Sequence, residues 1–378
     1  MNKLIPNKNV SLVSMGFFLL FFGFTAAQHY LLPLFKLQGQ ENTAFISLLL
    51  IYFAFFGAGI FAPKIIPSLG LKASIVIGAF SYAFFALSVV LGMQFITLTA
   101  SITVGVGAAL LWVSGGQIIQ NSSSEKELGY NLGFQYASFL FGSLLGTTFG
   151  GFFIEAFSLQ KLYAWFTVAI LCSIPFFLKI QFVESKIEKR TFKLSYIFDK
   201  KLVLLFPIIF AAYFLSAQTF TAINLLVLNL FGIKYVAIIA ILLRISTIIG
   251  ALVVGAITDK FKKESTLIIL IFIGLAGTLV FIGSPNLTLI MTGTIFMGLF
   301  ISAAYPVCLS LFKDKTSANE YAYALGAFHV YTTIAVLAAI FSARYLNPTM
   351  SFLPGIASLL ISFGGVFFFS KLKTHKIN

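Results

Sequence analysis

The chain has 378 residues, of which 59% are hydrophobic and 10% charged, with a net charge of +14 and a mean hydropathy of +1.01. A soluble domain of that composition would have no polar surface left to cover its core, which excludes a soluble globular class and points to a membrane protein. The basic excess is not a nucleic-acid footprint, because the charges cluster between apolar segments and only Arg244 falls inside one.

Crossing a hydrocarbon core about 30 Å thick takes about 20 apolar residues as a helix. Windows of that order predict spans at 11–34, 43–62, 73–93, 95–119, 130–154, 162–178, 202–223, 235–258, 265–284, 287–311, 322–343 and 349–370. Strands of an outer-membrane barrel would carry a polar residue at every second position, so the expected class is all-α with twelve transmembrane helices. Lys3 and Lys8 before the apolar run to Thr25-Ala26-Ala27 imitate a secretory leader. Its removal would leave eleven spans and break the repeat described below, so it is read as span one.

With the N-terminus placed inside, cytoplasmic segments hold 20 of the 25 Lys and Arg, including Lys64, Lys72, Lys126, Lys179, Lys186 and Lys189. The outside loops hold four, Lys36, Lys161, Lys234 and Arg344, and the last is Arg244. This positive-inside bias predicts both termini in the cytoplasm and a plasma or inner membrane as host, with the lipid bilayer and not nucleic acid as the surrounding partner. Cys172 and Cys308 each lie within a span, so neither a disulfide framework nor a metal cluster is expected, and no cofactor is implied.

A shift of 193 positions pairs Gly105 with Gly298, Trp112 with Tyr305, Ser124 with Ser317, Glu127 with Glu320, Tyr130 with Tyr323 and Gly133 with Gly326. Six helices therefore repeat as six, and an even number makes the repeats parallel. The expected organisation is an N-terminal bundle over 1–182, a hydrophilic cytoplasmic linker over 183–201, and a C-terminal bundle over 202–378. Ser124 to Glu127 and Ser317 to Glu320 share the S-x-x-E spacing before a span, which caps a helix start. Glu127 and Glu320 could also exchange ion pairs at an inner gate; both readings stand.

After span eight, Gly255-Ala256-Ile257-Thr258-Asp259-Lys260-Phe261-Lys262-Lys263 resembles the loop signature of the major facilitator superfamily, with Lys262 where a second glycine is usual. The resemblance implies gating roles for Gly255, Asp259, Lys260 and Lys263. In the corresponding loop of the first half, Gly59-Ile60-Phe61-Ala62-Pro63-Lys64, the acid is replaced by Pro63. That departure, with Gly105 to Trp112, Gly115-Gly116-Gln117, Ala27-Gln28-His29-Tyr30-Leu31 and Leu49 to Tyr52, is similar to the uncoordinated-ninety-three-like (ion channel regulatory protein) branch. It implies a twelve-helix fold with alternating access, and leaves open whether the protein transports or regulates.

All eleven carboxylates lie outside the spans. Coupling by an embedded Asp or Glu is therefore disfavoured, and uniport or exchange is expected over carboxylate-based proton symport. Arg244, deep in span eight, costs about 2.5–3.5 kcal/mol unless it faces protein or water. Two roles fit it: bidentate recognition of an anionic solute, or bonds to carbonyls and Gln or Tyr side chains. Gln28, His29, Gln117, Gln135, Gln218 and His329 are the other strongly polar interior residues, and none lies in the interior of spans three, six, nine or twelve, as expected if the other eight line a cavity. His29 and His329 could relay a proton or rest as neutral hydrogen-bonded groups. Trp112 and Tyr305 could flank a ligand or simply pack. Gly142, Gly146 and Gly150 in span five predict close helix approach, expected between the halves. A monomeric transporter of a small-molecule solute is the first functional reading. A non-transporting membrane regulator or trafficking partner of a channel or receptor is the second. An enzyme is disfavoured, since no nucleophile, base and orienting group fall at a recognisable spacing.

Overall fold

The computed structural model describes residues 7–123, 128–181, 198–258, 262–282, 286–313 and 318–372. For 63–64, 128–130, 132, 251–258, 303, 305–306, 309–310, 312–313 and 318–329 it describes the backbone alone. The helices are α1 (Lys8–Leu37), α2 (Glu41–Leu69), α3 (Leu71–Leu91), α4 (Gln94–Asn121), α5 (Leu128–Phe153), α6 (Leu159–Leu171) and α7 (Ile174–Leu178). They continue with α8 (Lys200–Gln218), α9 (Ala222–Phe231), α10 (Ile233–Thr258), α11 (Lys263–Leu279), α12 (Leu287–Lys313), α13 (Ala318–Tyr345) and α14 (Leu353–Ser370). Since α6 with α7 and α8 with α9 each form one crossing, these are twelve crossings, eight of which contain described stretches long and apolar enough to span a membrane.

Helix breaks follow local chemistry. Pro175 has no N–H for the Leu171 carbonyl, so α6 stops and α7 restarts with the proline in its first turn. Between α8 and α9, the hydroxyls of Thr219 and Thr221 donate to the carbonyls of Ser216 (2.5 Å) and Ala217 (2.9 Å), replacing part of the backbone ladder. Starts are capped: Asn7 accepts from the Asn9 N–H at 2.9 Å, and Asp199 from the Lys201 N–H at 2.8 Å.

Three boundaries differ from those read off the sequence, among them span seven, which continues past 223 through α9 to Phe231. Helix α2 does not stop at 62 but runs through Pro63 and Pro67 to Leu69, where Gly70 turns the chain at φ +81°. Near a membrane edge, carbonyls freed by proline can be met by water, so the helix passes both prolines without ending. Span nine ends at Leu279, ahead of 284, and passes into a turn.

The chain divides into two compact units, Met1–Arg190 and Thr191–Asn378. Within the first, α3 packs on α4, α1 on α5, α2 on α4, α3 on α6 and α1 on α6. Within the second, α11 packs on α12, α8 on α13, α10 on α12, α11 on α14 and α8 on α14. Taken by order of crossing, these are the same five pairs, so the sequence repeat is a repeat of packing. Its glycines behave alike: a side chain on Gly105 would collide with the Ile51 carbonyl and Ala54 of α2, and one on Gly298 with Ser246 and the Leu243 carbonyl of α10.

Small residues recur on buried helix faces, as expected where lipid tails are no more apolar than leucine and close packing drives association. On α3, Ser74, Ser81 and Ser88 are buried at intervals of seven, while Ile77, Phe80, Phe84, Leu87 and Leu91 are exposed on an adjoining flank. The glycines of α5 correct one expectation. Side chains at Gly142 and Gly146 would strike the backbone carbonyls of Phe18 and Phe22, and one at Gly150 would meet the Tyr30 ring. The close approach they permit is to α1, inside the first unit, rather than between the halves.

Candidate functional site

In the first unit, Phe17, Phe21, Phe24 and Gln28 recur at three- and four-residue intervals and so form one stripe of α1. Around it lie aromatic rings from three other helices. Phe21 meets Phe139 of α5 edge-on at 4.6 Å and Trp112 of α4 at 5.3 Å, and Phe24 meets Tyr82 of α3 at 4.4 Å. Trp112 is half-buried, with Phe17 and Phe139 edge-on at 5.1 and 5.5 Å. Its indole is thus held in one orientation from three sides.

One helical turn beyond Phe24, the Gln28 amide donates to the Tyr52 hydroxyl of α2 at 2.8 Å. Both are half-buried, so the pair joins a carboxamide to a phenol where a polar solute could exchange hydrogen bonds with either. His29 is turned into the bundle, 2% exposed, with its ring edge-on to Tyr30 at 5.4 Å. Gln135 on α5 is 7% exposed. On α4, the Gln117 Oε1 is buried without a hydrogen-bond partner among the described residues, about one and a half turns beyond Trp112.

In the second unit, Arg244 sits within two residues of the midpoint of α10 and is half-buried. Leu243, Ser246 and Gly250 turn that helix toward α12, while Ile245 and Ile249 are exposed at 41% and 48%. At about 100° per residue, Arg244 falls on a third flank, away from both. The Thr247 hydroxyl donates to its carbonyl at 2.8 Å.

Gln218 has a different setting. It is fully buried at the end of α8, and its amide nitrogen donates to the Ser342 hydroxyl of α13 and to the Ser351 carbonyl ahead of α14, both at 2.9 Å. Its carbonyl accepts from the Thr221 hydroxyl at 3.2 Å, so the side chain ties the α8–α9 break to two other elements. Asn224, equally buried on α9, lies one residue past the end expected for span seven, and only the continuation of the helix to Phe231 reveals it. Tyr52 was also passed over as a site residue, since a tyrosine among 14 carries no signal until its partner is known.

Tyr305 and His329 lie on α12 and α13, and Glu320 is the third residue of α13; their side chains fall outside the described residues. Asp259, Lys260 and Glu127 lie outside the described residues altogether. Gly255 is in the last turn of α10, and Lys263 opens α11 half-buried. Among the described residues, no three His, Cys, Asp or Glu converge where a metal ion could be held.

Residues 69–340 match the family model described as Major Facilitator Superfamily. Among curated proteins, the UNC93-like protein MFSD11 of Xenopus laevis is 25% identical over 145 residues, covering 37% of this chain and 32% of that protein. The Xenopus tropicalis protein of that name is 24% identical over the same coverage. The match therefore spans about a third of these relatives' length. Among solved structures, a D-xylose–proton symporter aligns with a TM-score of 0.75 at 12% identity, covering 97% of this chain and 98% of that one. The Escherichia coli fucose:proton symporter aligns at 0.64 and 17%, covering 96% and 98%. A bacterial homologue of the human lysosomal transporter Spinster, titled inward-facing and occupied, aligns at 0.64 and 14%, covering 96% of each chain. At these identities the structural likeness is one of fold.

Proposed function

This chain belongs to the major facilitator superfamily, and from that premise we propose that it is a secondary transporter that moves a small solute across the membrane by alternating access. The solute carries an anionic group, and Arg244 is the residue that recognises it. The observation that carries this reading is the placement of a guanidinium midway along a membrane-crossing helix, half-buried and on a different flank from the exposed Ile245 and Ile249. A planar fork of donors there suits a carboxylate or phosphate, which can take two parallel hydrogen bonds. Within the first unit, Gln28, Tyr52, Gln117, Gln135 and Trp112 offer neutral hydrogen bonds and an aromatic face of their own to a polar solute.

Proton coupling through an embedded carboxylate is not part of the proposal. Among the described residues, Glu41 opens α2, Glu155 follows α5, Asp199 caps α8 and Glu264 lies in the first turn of α11, all at helix ends. Uniport or exchange of solutes fits that distribution. The lysine-rich helix ends face the cytoplasm in this reading, and the working unit is a monomer.

The test is thermal stabilisation of the purified protein by panels of organic anions, cations and neutral metabolites, followed by flux of any hit in proteoliposomes. Anion-selective stabilisation should vanish in a folded Arg244→Ala variant and weaken in Arg244→Lys, which keeps the charge and loses the fork. Stabilisation unchanged in both variants would make Arg244 a packing residue. No stabilisation and no flux with any class would move the protein to the regulatory reading.

A further inference from the structure

At the end of the first unit where α1 and α5 begin and α4 and α7 finish, two buried asparagines bridge helices that hardly pack on one another. Helix α1 lies mainly on α5 and α6, and α4 mainly on α2 and α3, whereas α4 meets α1 and α5 only slightly. Farther into the unit, the rings of Phe17, Trp112 and Phe139, one from each of α1, α4 and α5, fill the space between these helices.

Asn9, in the first turn of α1, is 7% exposed. Its amide nitrogen donates to the hydroxyl of Ser122, the C-cap of α4, at 3.4 Å. Its carbonyl accepts from the Gln181 N–H at 3.0 Å, just past the end of α7. Asn131, near the start of α5, is 3% exposed, and its amide donates to the Ser123 hydroxyl at 2.8 Å. Ser123 in turn donates to the Ile119 carbonyl at 2.7 Å. Two adjacent serines thus hold the end of α4 to α1 through one asparagine and to α5 through the other. Gln181 stands immediately ahead of the linker read over 183–201, so Asn9 also fastens the root of that linker. The second unit has no counterpart: the shift of 193 places Leu202, Lys315 and Ala324 where the first unit has Asn9, Ser122 and Asn131. The helix pairing repeats without these bonds, so packing a six-helix unit does not require them.

We infer that Asn9 and Asn131 form a latch, a hydrogen-bonded closure between the end of α4 and the α1–α5 pair that also ties the start of the linker to α1. Uncharged bonds suit a latch that opens and recloses, because each contributes modestly and its groups can be rehydrated at a membrane edge. A pull on the linker reaches α1 directly through the Gln181–Asn9 bond, in addition to passing through α7. The latch lies within the first unit and is independent of the anion recognition assigned to Arg244.

The test uses the full chain in lipid nanodiscs, with Cys172→Ala and Cys308→Ala as background and spin labels on Lys8→Cys and Gln120→Cys, both exposed positions. Electron–electron distance measurements should show one narrow α1–α4 separation in this parent. A second, longer separation should appear in Asn9→Ala/Asn131→Ala, its share growing about threefold for each interhelical bond lost. Hydrogen exchange at the Gln181 amide should accelerate about threefold or more in Asn9→Ala and stay unchanged in Asn131→Ala, which leaves that bond in place. Asn9→Asp keeps an acceptor for the Gln181 N–H and should restore its protection. Should the alanine pair fail to fold, Ser122→Ala/Ser123→Ala removes the same two contacts from the α4 side. An unchanged distance distribution in the double variant would overturn the inference. So would exchange that rises evenly throughout the first unit with a lowered melting temperature, since the bonds would then be a share of overall stability and no latch.

Discussion

Replacing Gln218 with leucine removes three buried hydrogen bonds at once, to the Ser342 hydroxyl, the Ser351 carbonyl and the Thr221 hydroxyl. The cost depends on what those partners do next. Thr221 still donates to the Ala217 carbonyl at 2.9 Å, and Ser342 to the Ala339 carbonyl at 2.9 Å, so neither hydroxyl is stranded. For the two hydroxyls the loss is therefore the net worth of the bond, and only the Ser351 carbonyl gives up its side-chain donor. Interhelical hydrogen bonds in a bilayer average about 0.6 kcal/mol in double-mutant cycles, so three give about 2 kcal/mol, roughly a thirtyfold shift in the unfolding equilibrium. Reversible unfolding in mixed micelles should show that loss for Gln218→Leu and a coupling of about 0.6 kcal/mol with Ser342→Ala. A loss below about 0.5 kcal/mol with no coupling, accompanied by lost solute binding, would refute the reasoning and return Gln218 to the solute-contacting role expected from the sequence.

Gly146→Ala should destabilise the first unit by about 1–3 kcal/mol, because its Cβ would press on the Phe22 carbonyl, whereas Gly133→Ala meets nothing within 4 Å and should be neutral or mildly stabilising; melting temperatures of the pair decide this. Trp112→Ala opens the space shared by Phe17, Phe21 and Phe139 and should cost about 3–5 kcal/mol, with Trp112→Phe retaining most of the packing, both read by thermal unfolding. Breaking the Lys36–Glu41 pair with Glu41→Gln should change stability by no more than about 1 kcal/mol, since the two side chains are 31% and 33% exposed; a larger loss in the same assay would mean the turn depends on the pair.

The crossings, their number and the twofold repeat were legible in the chain because hydropathy and a fixed shift are one-dimensional properties. A run of apolar residues must be helical in lipid whatever its neighbours are, and Gly105 and Gly298 announce the same packing by position alone. Arg244 was equally legible, since a lone charge inside an apolar segment stands out without coordinates. Helix pairing decided the rest. The glycine stripe of α5 says that something approaches closely but not that it is α1, and polar type alone cannot separate Gln28, half-exposed and bonded to Tyr52, from Gln218, sealed among Ser342, Ser351 and Thr221.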